Sequence, residues 1–368
     1  MPIGILPTLA RLDLGEGSLT DAVRFRALNA ALLEQGAGGF QLSIHREDDL
    51  ELATADVSFE GANTSFQLHL RVEPARFAAV HNAAQLATAP VLAVAGNSPT
   101  FLGHRLWEET RIALFKQAVD HRDEAGRERH DDPRVSFGRG WVRETALELF
   151  AESVELHEPL LPVLAGEAPR AALAAGGLPG LAELRLHQGT VWRWNRAVYD
   201  PAGGGHLRVE LRALPAGPTV VDMAANAALL VGLTLALARD AAWADEHAFE
   251  DAHAAFYAAA REGLDAVLPW PGLDDPLPAG ELVPLLLPLA RAGLIEGAGV
   301  AADEADRLLG IVEERVRARQ TGARWQRRAL AALEGRHGRE RALTAMLEAY
   351  LAHSEAGEPV HRWPLPSA

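Results

Sequence analysis

The chain has 368 residues, of which 48% are hydrophobic, and its 50 acidic and 35 basic residues give a formal charge of −15. This acidic balance excludes the basic face that nucleic acids and anionic membranes require, so we expect neither as a partner. The absence of cysteine excludes disulfides, thiolate nucleophiles and cysteine-ligated metal sites. The most apolar run, residues 223–238, is shorter than the ~20 residues of a membrane span, so we expect a buried helix and a cytoplasmic protein.

Strands and helices alternate over the first two thirds of the predicted fold. Short alternating or apolar runs predict strands, and apolar residues at helical spacing after a Ser or Thr cap predict helices. In chain order we predict a strand at 3–6, a helix at 19–35 capped by Ser18 or Thr20 and ended by the glycines at 36–39, strands at 40–46 and 64–72, a helix at 74–88, a buried strand at 91–95, a turn at 97–99, a helix at 107–119 and a charged loop at 120–132.

The second half of the chain begins with a predicted hairpin and then becomes helical. Strand patterns at 189–196 and 207–214 are joined by a Pro- and Gly-rich turn at 200–205. Helical patterns follow at 222–242, 243–264, 280–296, 303–334 and 339–353. The order predicts an α+β fold with an antiparallel sheet, helices on one face of it and an open polar face as an active-site funnel. We divide it into a sheet-containing core at 1–242 and a helical region at 243–368.

Two of the predicted strands carry an unusual set of polar residues. In the strand at 64–72, Gln67, His69 and Arg71 face away from the apolar side, and in the strand at 207–214, Arg208, Glu210 and Arg212 do so. These side chains are suited to holding a metal ion and phosphates. The two strands therefore look like two walls of one site.

Plainer interpretations of these residues stay open at this point. Glu210 with Arg212 could be a surface charge pair, and a single histidine such as His69 is more often structural. Trp192 and Trp194 lie two apart on one strand and share a face, which fits core packing as well as ligand stacking.

Several motifs in order resemble those of glutamate–cysteine ligase family 2, the carboxylate–amine ligases. They are Gln67-Leu-His69, Ala95-Gly-Asn-Ser-Pro99, Gly189-Thr-Val-Trp192, Leu207-Arg-Val-Glu-Leu-Arg212, Ala259-Ala-Arg-Glu-Gly-Leu-Asp265 and Pro359-Val-His-Arg-Trp-Pro364. The resemblance implies a glutamine-synthetase-like sheet whose open face binds ATP, Mg²⁺ and an amino acid. It also implies phosphorylation of a substrate carboxylate by ATP, followed by attack of an amine on the acyl phosphate.

The resemblance assigns roles to named positions. Glu210 and His69 correspond to metal ligands and Arg212 to an arginine that contacts phosphate, and Arg212 and Glu210 are the two residues assigned as catalytic. The remaining positions would bind ATP or substrate, and they are Gln67, Arg71, Asn97, Arg111, Trp192, Arg196 and Arg261.

One segment of the family pattern is absent from this sequence. Family members begin with roughly a hundred residues that carry a Gly-x-Glu-x-Glu strand, whose carboxylates complete the Mg²⁺ site, and no such strand precedes residues 3–6. We expect a glutamate–cysteine ligase-like enzyme that forms γ-glutamylcysteine. The alternatives are a ligase for a different amine, or a non-catalytic ligand-binding or partner protein. A homo-oligomer or a partner chain that supplies the missing segment is also consistent with the sequence.

Overall fold

The computed structural model describes residues 1–18, 20–35, 39–122, 126, 128–129 and 131–366. Leu19, at the start of the predicted first helix, the glycines and alanine at 36–38 that were predicted to end it, and part of the predicted loop at 120–132 lie outside the described residues. The fold is a mixture of helices and small sheets, as the α+β prediction required.

Most of the described residues are helical. The α-helices are α1 (Val23–Gln35), α2 (Ser58–Gly61), α3 (Phe77–Ala95), α4 (Thr110–Ala118), α5 (Leu147–Leu156), α6 (Pro169–Ala174), α7 (Ala182–Gln188), α8 (Val220–Leu237), α9 (Trp243–Glu246), α10 (Phe249–Glu262), α11 (Ala279–Ala292), α12 (Ala302–Arg317), α13 (Gly322–His337) and α14 (Arg339–Ala356). A π-helical segment, Gly293–Gly297, continues α11. The helical C-terminal third is therefore confirmed, with the predicted helix at 303–334 divided into α12 and α13.

The strands are short and form several small sheets. They are β1 (Phe40–His45), β2 (Asp49–Thr54), β3 (Leu68–Val72), β4 (Thr100–Phe101), β5 (His104–Arg105), β6 (Val135–Ser136), β7 (Trp192–Arg193), β8 (Asn195–Asp200), β9 (His206–Leu211), β10 (Val267–Leu268) and β11 (Leu277–Pro278). The largest sheet is antiparallel with the order β3-β9-β8, and β6 pairs with β7 in parallel. Within the described part of the chain the predicted single sheet is thus a three-stranded sheet accompanied by two-stranded ones.

The two faces of the three-stranded sheet differ in chemistry. Leu70, Val209 and Ala197 are cross-strand partners on one face, which α3 covers. On this side His81 of α3 lies 3.4 Å from the carbonyl oxygen of Asn195, and both residues are buried. The opposite face carries the polar side chains, as the period-two pattern predicted.

The turn between β8 and β9 consists of glycines in a backbone conformation that other residues disfavour. Gly203, Gly204 and Gly205 have φ angles of +61°, +88° and +77°, in the left-handed region that side chains disfavour. The turn matches the hairpin predicted from the Pro- and Gly-rich segment.

Helices α3 and α8 form the centre of the hydrophobic core. They pack against each other, and α10, α11 and α12 pack around them. One continuous cluster of buried residues extends from Leu32 to Val316 and so includes both of the predicted regions. The division at residue 242 stays a prediction.

Two helices are long and apolar enough to cross a membrane by composition alone. Residues 74–95 are 89% buried and Val220–Leu237 is 61% buried within the protein. Burial of this extent is typical of the core helices of a soluble protein, so the buried helix predicted at 223–238 is confirmed. The cytoplasmic location stays a prediction.

Two predicted strands are wrong. Residues 91–95 are the last part of α3, which continues through Pro90 because it is enclosed by other helices over almost its whole length. The segment at 97–99 therefore follows a helix, and it runs extended with a bridge from Ser98 to Glu109 rather than forming a turn. Residues 3–6 form no strand, although Gly4 exchanges backbone hydrogen bonds with Asn97 and Thr64.

The β1-β2 hairpin was missed in the sequence. β1 was predicted, but its antiparallel partner β2 was not. The alternation of Leu50 and Leu52 with Glu51 was a usable signal for that strand.

Candidate active site

The polar face of the three-stranded sheet carries a cross-strand row formed by His69, Glu210 and Arg196. His69 of β3 pairs directly with Glu210 of β9, and Glu210 pairs with Arg196 of β8. Directly opposed residues on neighbouring strands have their Cβ atoms about 5 Å apart on the same face. The register therefore brings together three residues that lie far apart in the sequence, and it joins the two strands that the sequence predicted as walls of one site.

Glu210 is the centre of this row. Its side chain is only 6% exposed, and its Oε2 atom accepts a hydrogen bond of 2.6 Å from Nε of Arg196. Nε of Arg212 lies 3.8 Å from the same oxygen, and Nε2 of His69 lies 3.5 Å from the other one. One buried carboxylate thus faces two guanidinium groups and an imidazole.

Burial, together with neighbouring positive charge, lowers the pKa values of two residues beside Glu210. Burial lowers the pKa of Arg212 to about 10, and repulsion from Arg196 adds to this, whereas Glu210 opposes it. The pKa of His69 is also lowered, first by burial, against the attraction of Glu210. Both groups would be stabilised in their charged forms by an anion bound at this face.

The next rows of the same face extend its basic character. Arg71 pairs with Arg208, which is held by Asp200 at 3.3 Å across the hairpin. Gln67, at the other end of the strand, makes a 3.4 Å hydrogen bond to Ser65. Arg71 is exposed, so the face is open to solvent at this edge.

One of two neighbouring cavities adjoins the row, and the second shares the lining residue Gly189 with the first. One of about 160 Å³ is lined by Arg196 and Arg208 and is bounded by α7. The other, of about 490 Å³, is lined by Trp192, Glu60 and Gly189. Trp192 is half-buried and its ring lies 6.0 Å from Phe115, while Trp194 is buried in the core. Of the two tryptophans, Trp192 is therefore the one placed to contact a ligand.

Glu60 was not predicted as a site residue. Burial raises its pKa and the nearby Arg212 lowers it, which places this carboxylate close to the row. Glu60 lies on the short helix α2, which packs against α4, so its approach to Arg212 depends on tertiary contacts. No sequence motif indicates that Glu60 and Arg212 come close together.

Asn97 and Arg111 belong to a buried hydrogen-bond network. The amide of Asn97 donates to the carbonyl of Ala216 and to Tyr350, and Arg111 pairs with Glu109 at 3.0 Å. Both residues are almost fully buried, and these contacts are those of residues that stabilise the fold. Their predicted contact with substrate stays a prediction.

Arg261 lies elsewhere. It lines a third cavity, of about 810 Å³, that includes Lys116 and Trp107 but none of the residues of the cross-strand row. The structure therefore gathers His69, Glu210, Arg196 and Arg212, with Trp192 beside them, and leaves Arg261 at a separate position.

The residues present do not make a Mg²⁺ site by themselves. Mg²⁺ prefers several carboxylate or carbonyl oxygens in octahedral geometry, and in the described ranges no three His, Asp or Glu side chains are grouped to hold a metal. Glu210 already accepts a hydrogen bond from Arg196. The arginines, in contrast, have the donors that bind phosphate oxygens.

Comparison with known protein families gives one match. The family model described as glutamate–cysteine ligase family 2 matches residues 62–346, more than three quarters of the chain. The matched stretch contains the whole cross-strand row and the cavity residue Trp192. No curated protein matches the chain.

Proposed function

This chain belongs to glutamate–cysteine ligase family 2, a family of ATP-dependent ligases, and we propose that it joins glutamate to cysteine through a γ-glutamyl phosphate. The observation that supports the proposal most directly is the cross-strand row. It pairs Arg196 with one buried carboxylate, with Arg212 beside that carboxylate, on an open sheet face next to a cavity.

The first step of this reaction brings two anions together. An oxygen of the substrate γ-carboxylate attacks the γ-phosphorus of ATP, the bond from that phosphorus to the β,γ-bridging oxygen breaks, and ADP leaves. Preorganised guanidinium groups reduce the repulsion and stabilise charge that develops on the transferred group. Arg212 and Arg196 are suited to this role, since Glu210 accepts a hydrogen bond from Arg196 and lies 3.8 Å from Nε of Arg212.

The second step forms the amide. The amine nitrogen attacks the acyl carbon, the bond from that carbon to the phosphate oxygen breaks, and inorganic phosphate leaves while the nitrogen loses a proton. A carboxylate whose pKa is raised by burial is suited to accept that proton. Glu60, beside Arg212 on the wall of the 490 Å³ cavity, has this property.

Magnesium enters this proposal only with ATP. The described residues do not assemble an ion site, so we propose that further carboxylates from a partner chain complete the environment of the nucleotide. A homo-oligomer would be one way to supply them, and a cytoplasmic location fits the substrates.

The test is ADP release by the purified chain with Mg-ATP, glutamate and cysteine, leaving out each amino acid in turn. Release that requires both amino acids supports the proposal, and release with another amine in place of cysteine shows a ligase of different specificity. Binding of ATP without release under any combination shows a non-catalytic ligand-binding protein. Arg212→Gln should lower the rate of release by roughly a hundredfold, and Arg341→Gln, on the exposed surface of α14, is the matched control.

A further inference from the structure

The cavity of about 810 Å³ around Arg261 lies between β1, α4 and α10. Residues Lys116 and Gln117 of α4 line it, whereas Phe115 of the same helix packs against Trp192 and Trp194. The helix thus separates this cavity from the tryptophans beside the cross-strand row. Its volume is in the range of small-molecule sites in proteins.

Two cations of the cavity are held on aromatic rings. The ammonium of Lys116, the single lysine of the chain, lies 4.7 Å from the centre of the Tyr257 ring. The guanidinium of Arg261 lies 4.7 Å from the centre of the Trp107 ring. A ring face attracts a cation but leaves its hydrogen-bond donors free for an oxygen acceptor.

The two cations approach the same region of the cavity wall. Tyr257 and Arg261 are four residues apart on α10, so their side chains are neighbours on one face of that helix. Trp107 is itself fixed by a 3.2 Å hydrogen bond from its indole nitrogen to the carbonyl of His45. Lys116 and Arg261 are therefore positioned before any ligand arrives.

The charges of the other basic residues in this cavity are compensated. Arg46 pairs with Glu262, and Arg122 pairs with Asp120 at 2.8 Å. Neither Lys116 nor Arg261 forms an ion pair with a carboxylate of the described residues. In a protein with a formal charge of −15, this leaves a locally positive pocket.

Burial of the Lys116 ammonium group makes the binding of an anion in this cavity more favourable. It lowers the pKa of Lys116, and the nearby Arg122 adds to this effect while Asp120 opposes it. An anion in the cavity would stabilise the charged ammonium.

We propose that this cavity binds a small organic anion that carries two acidic groups, either carboxylates or a phosphate, between Lys116 and Arg261. This site is distinct from the cross-strand row and is independent of the proposed ligase reaction. Such a ligand would receive charge-assisted hydrogen bonds from both cations.

The test is isothermal titration of the full chain with citrate and, separately, with glucose 6-phosphate, in the absence of ATP and amino acids. Glucose is the uncharged control. Saturable binding of either charged probe is expected, and the preferred probe identifies the acidic group. The absence of saturable heat with both probes would overturn the proposal.

Variants then locate the binding. Lys116→Gln and Arg261→Gln should each weaken binding roughly tenfold to a hundredfold, since a hydrogen bond to a charged group contributes ~1.5–3 kcal/mol. Arg341→Gln should leave the dissociation constant unchanged, and melting curves establish that the variants are folded. Arg212→Gln should also retain binding, so the result can be read even if the chain proves inactive as a ligase. Equal affinity in the wild type, Lys116→Gln and Arg261→Gln would refute the site.

Discussion

Changing Glu210 to Gln removes a single negative charge from the centre of the cross-strand row while keeping the shape of the side chain. The carboxylate is 6% exposed and its partner Arg196 is 20% exposed, so water screens the pair only partly. A hydrogen bond to a charged group contributes ~1.5–3 kcal/mol to stability. The glutamine still presents an acceptor oxygen, so we expect a loss of ~1.5 kcal/mol in the free energy of unfolding.

A double-mutant cycle isolates this interaction from other effects of the change. The free energy of unfolding in urea is measured for the wild type, Glu210→Gln, Arg196→Gln and the double variant, using tryptophan fluorescence. We expect a coupling energy of ~1–2 kcal/mol, because the second change costs less once the partner is gone. The exposed pair Arg307 and Glu304 on α12 serves as the control and should show little coupling.

The same variant tests whether Glu210 offsets the charge of the arginines or acts mainly as a metal ligand. If this carboxylate mainly offsets the charge of the arginines, Glu210→Gln should bind Mg-free ATP at least as tightly as the wild type. A coupling energy under ~0.5 kcal/mol, the level of exposed pairs, would refute the buried interaction. A large loss of affinity for Mg-free ATP would refute the inference that Glu210 offsets the arginines.

Three other predictions follow from the structure. Arg212→Gln should lower the rate of ADP release by roughly a hundredfold, with a melting temperature close to that of the wild type; an equal loss of both would indicate a structural role. Asp222→Asn should lower the free energy of unfolding, measured in urea, by ~3–5 kcal/mol, because it leaves the buried guanidinium of Arg315 without a counter-charge. In the wild type this guanidinium lies 2.8 Å from the Asp222 carboxylate. A loss under ~1 kcal/mol would show that the pair is dispensable. Burial lowers the pKa of His81 to about 4, so below pH ~6.5 the unfolded chain binds one more proton at this residue than the folded one. Stability should therefore fall by ~1.4 kcal/mol per pH unit from this group between pH ~6.5 and about 4, and His81→Gln should remove that part of the slope in urea titrations at pH 7, 6 and 5.

The strands of the candidate site could be predicted because their alternation is strict. Each apolar residue of β3 and β9 faces the covered side of the sheet, and a shift by one residue would bury the arginines. The same pattern did not predict which side chains become neighbours. Arg196 meets Glu210 only through the register of the β8-β9 hairpin, and His69 meets it through a pairing across 141 positions of the sequence.

Apolar runs without a period were the weak point of the sequence reasoning. A fully buried helix and a fully buried strand expose no polar face, so residues 91–95 could fit either structure. Proline disfavours the interior of a helix, but α3 continues through Pro90 because α8, α10 and α11 enclose it. The packing of the surrounding helices determines that residues 91–95 are helical, and that packing cannot be read from the local sequence.

The family pattern and the structure suggest different roles for Glu210. The pattern treats this residue as a metal ligand, whereas the structure surrounds it with Arg196, Arg212 and His69. A carboxylate that already neutralises part of a cationic cluster is a poorer metal ligand, because the ion would be repelled by the same arginines. A polyphosphate has the opposite sign and would complete the charge balance of the row. The described residues therefore form a cationic row that an anionic group would complement, with Glu210 hydrogen-bonded to Arg196 at its centre.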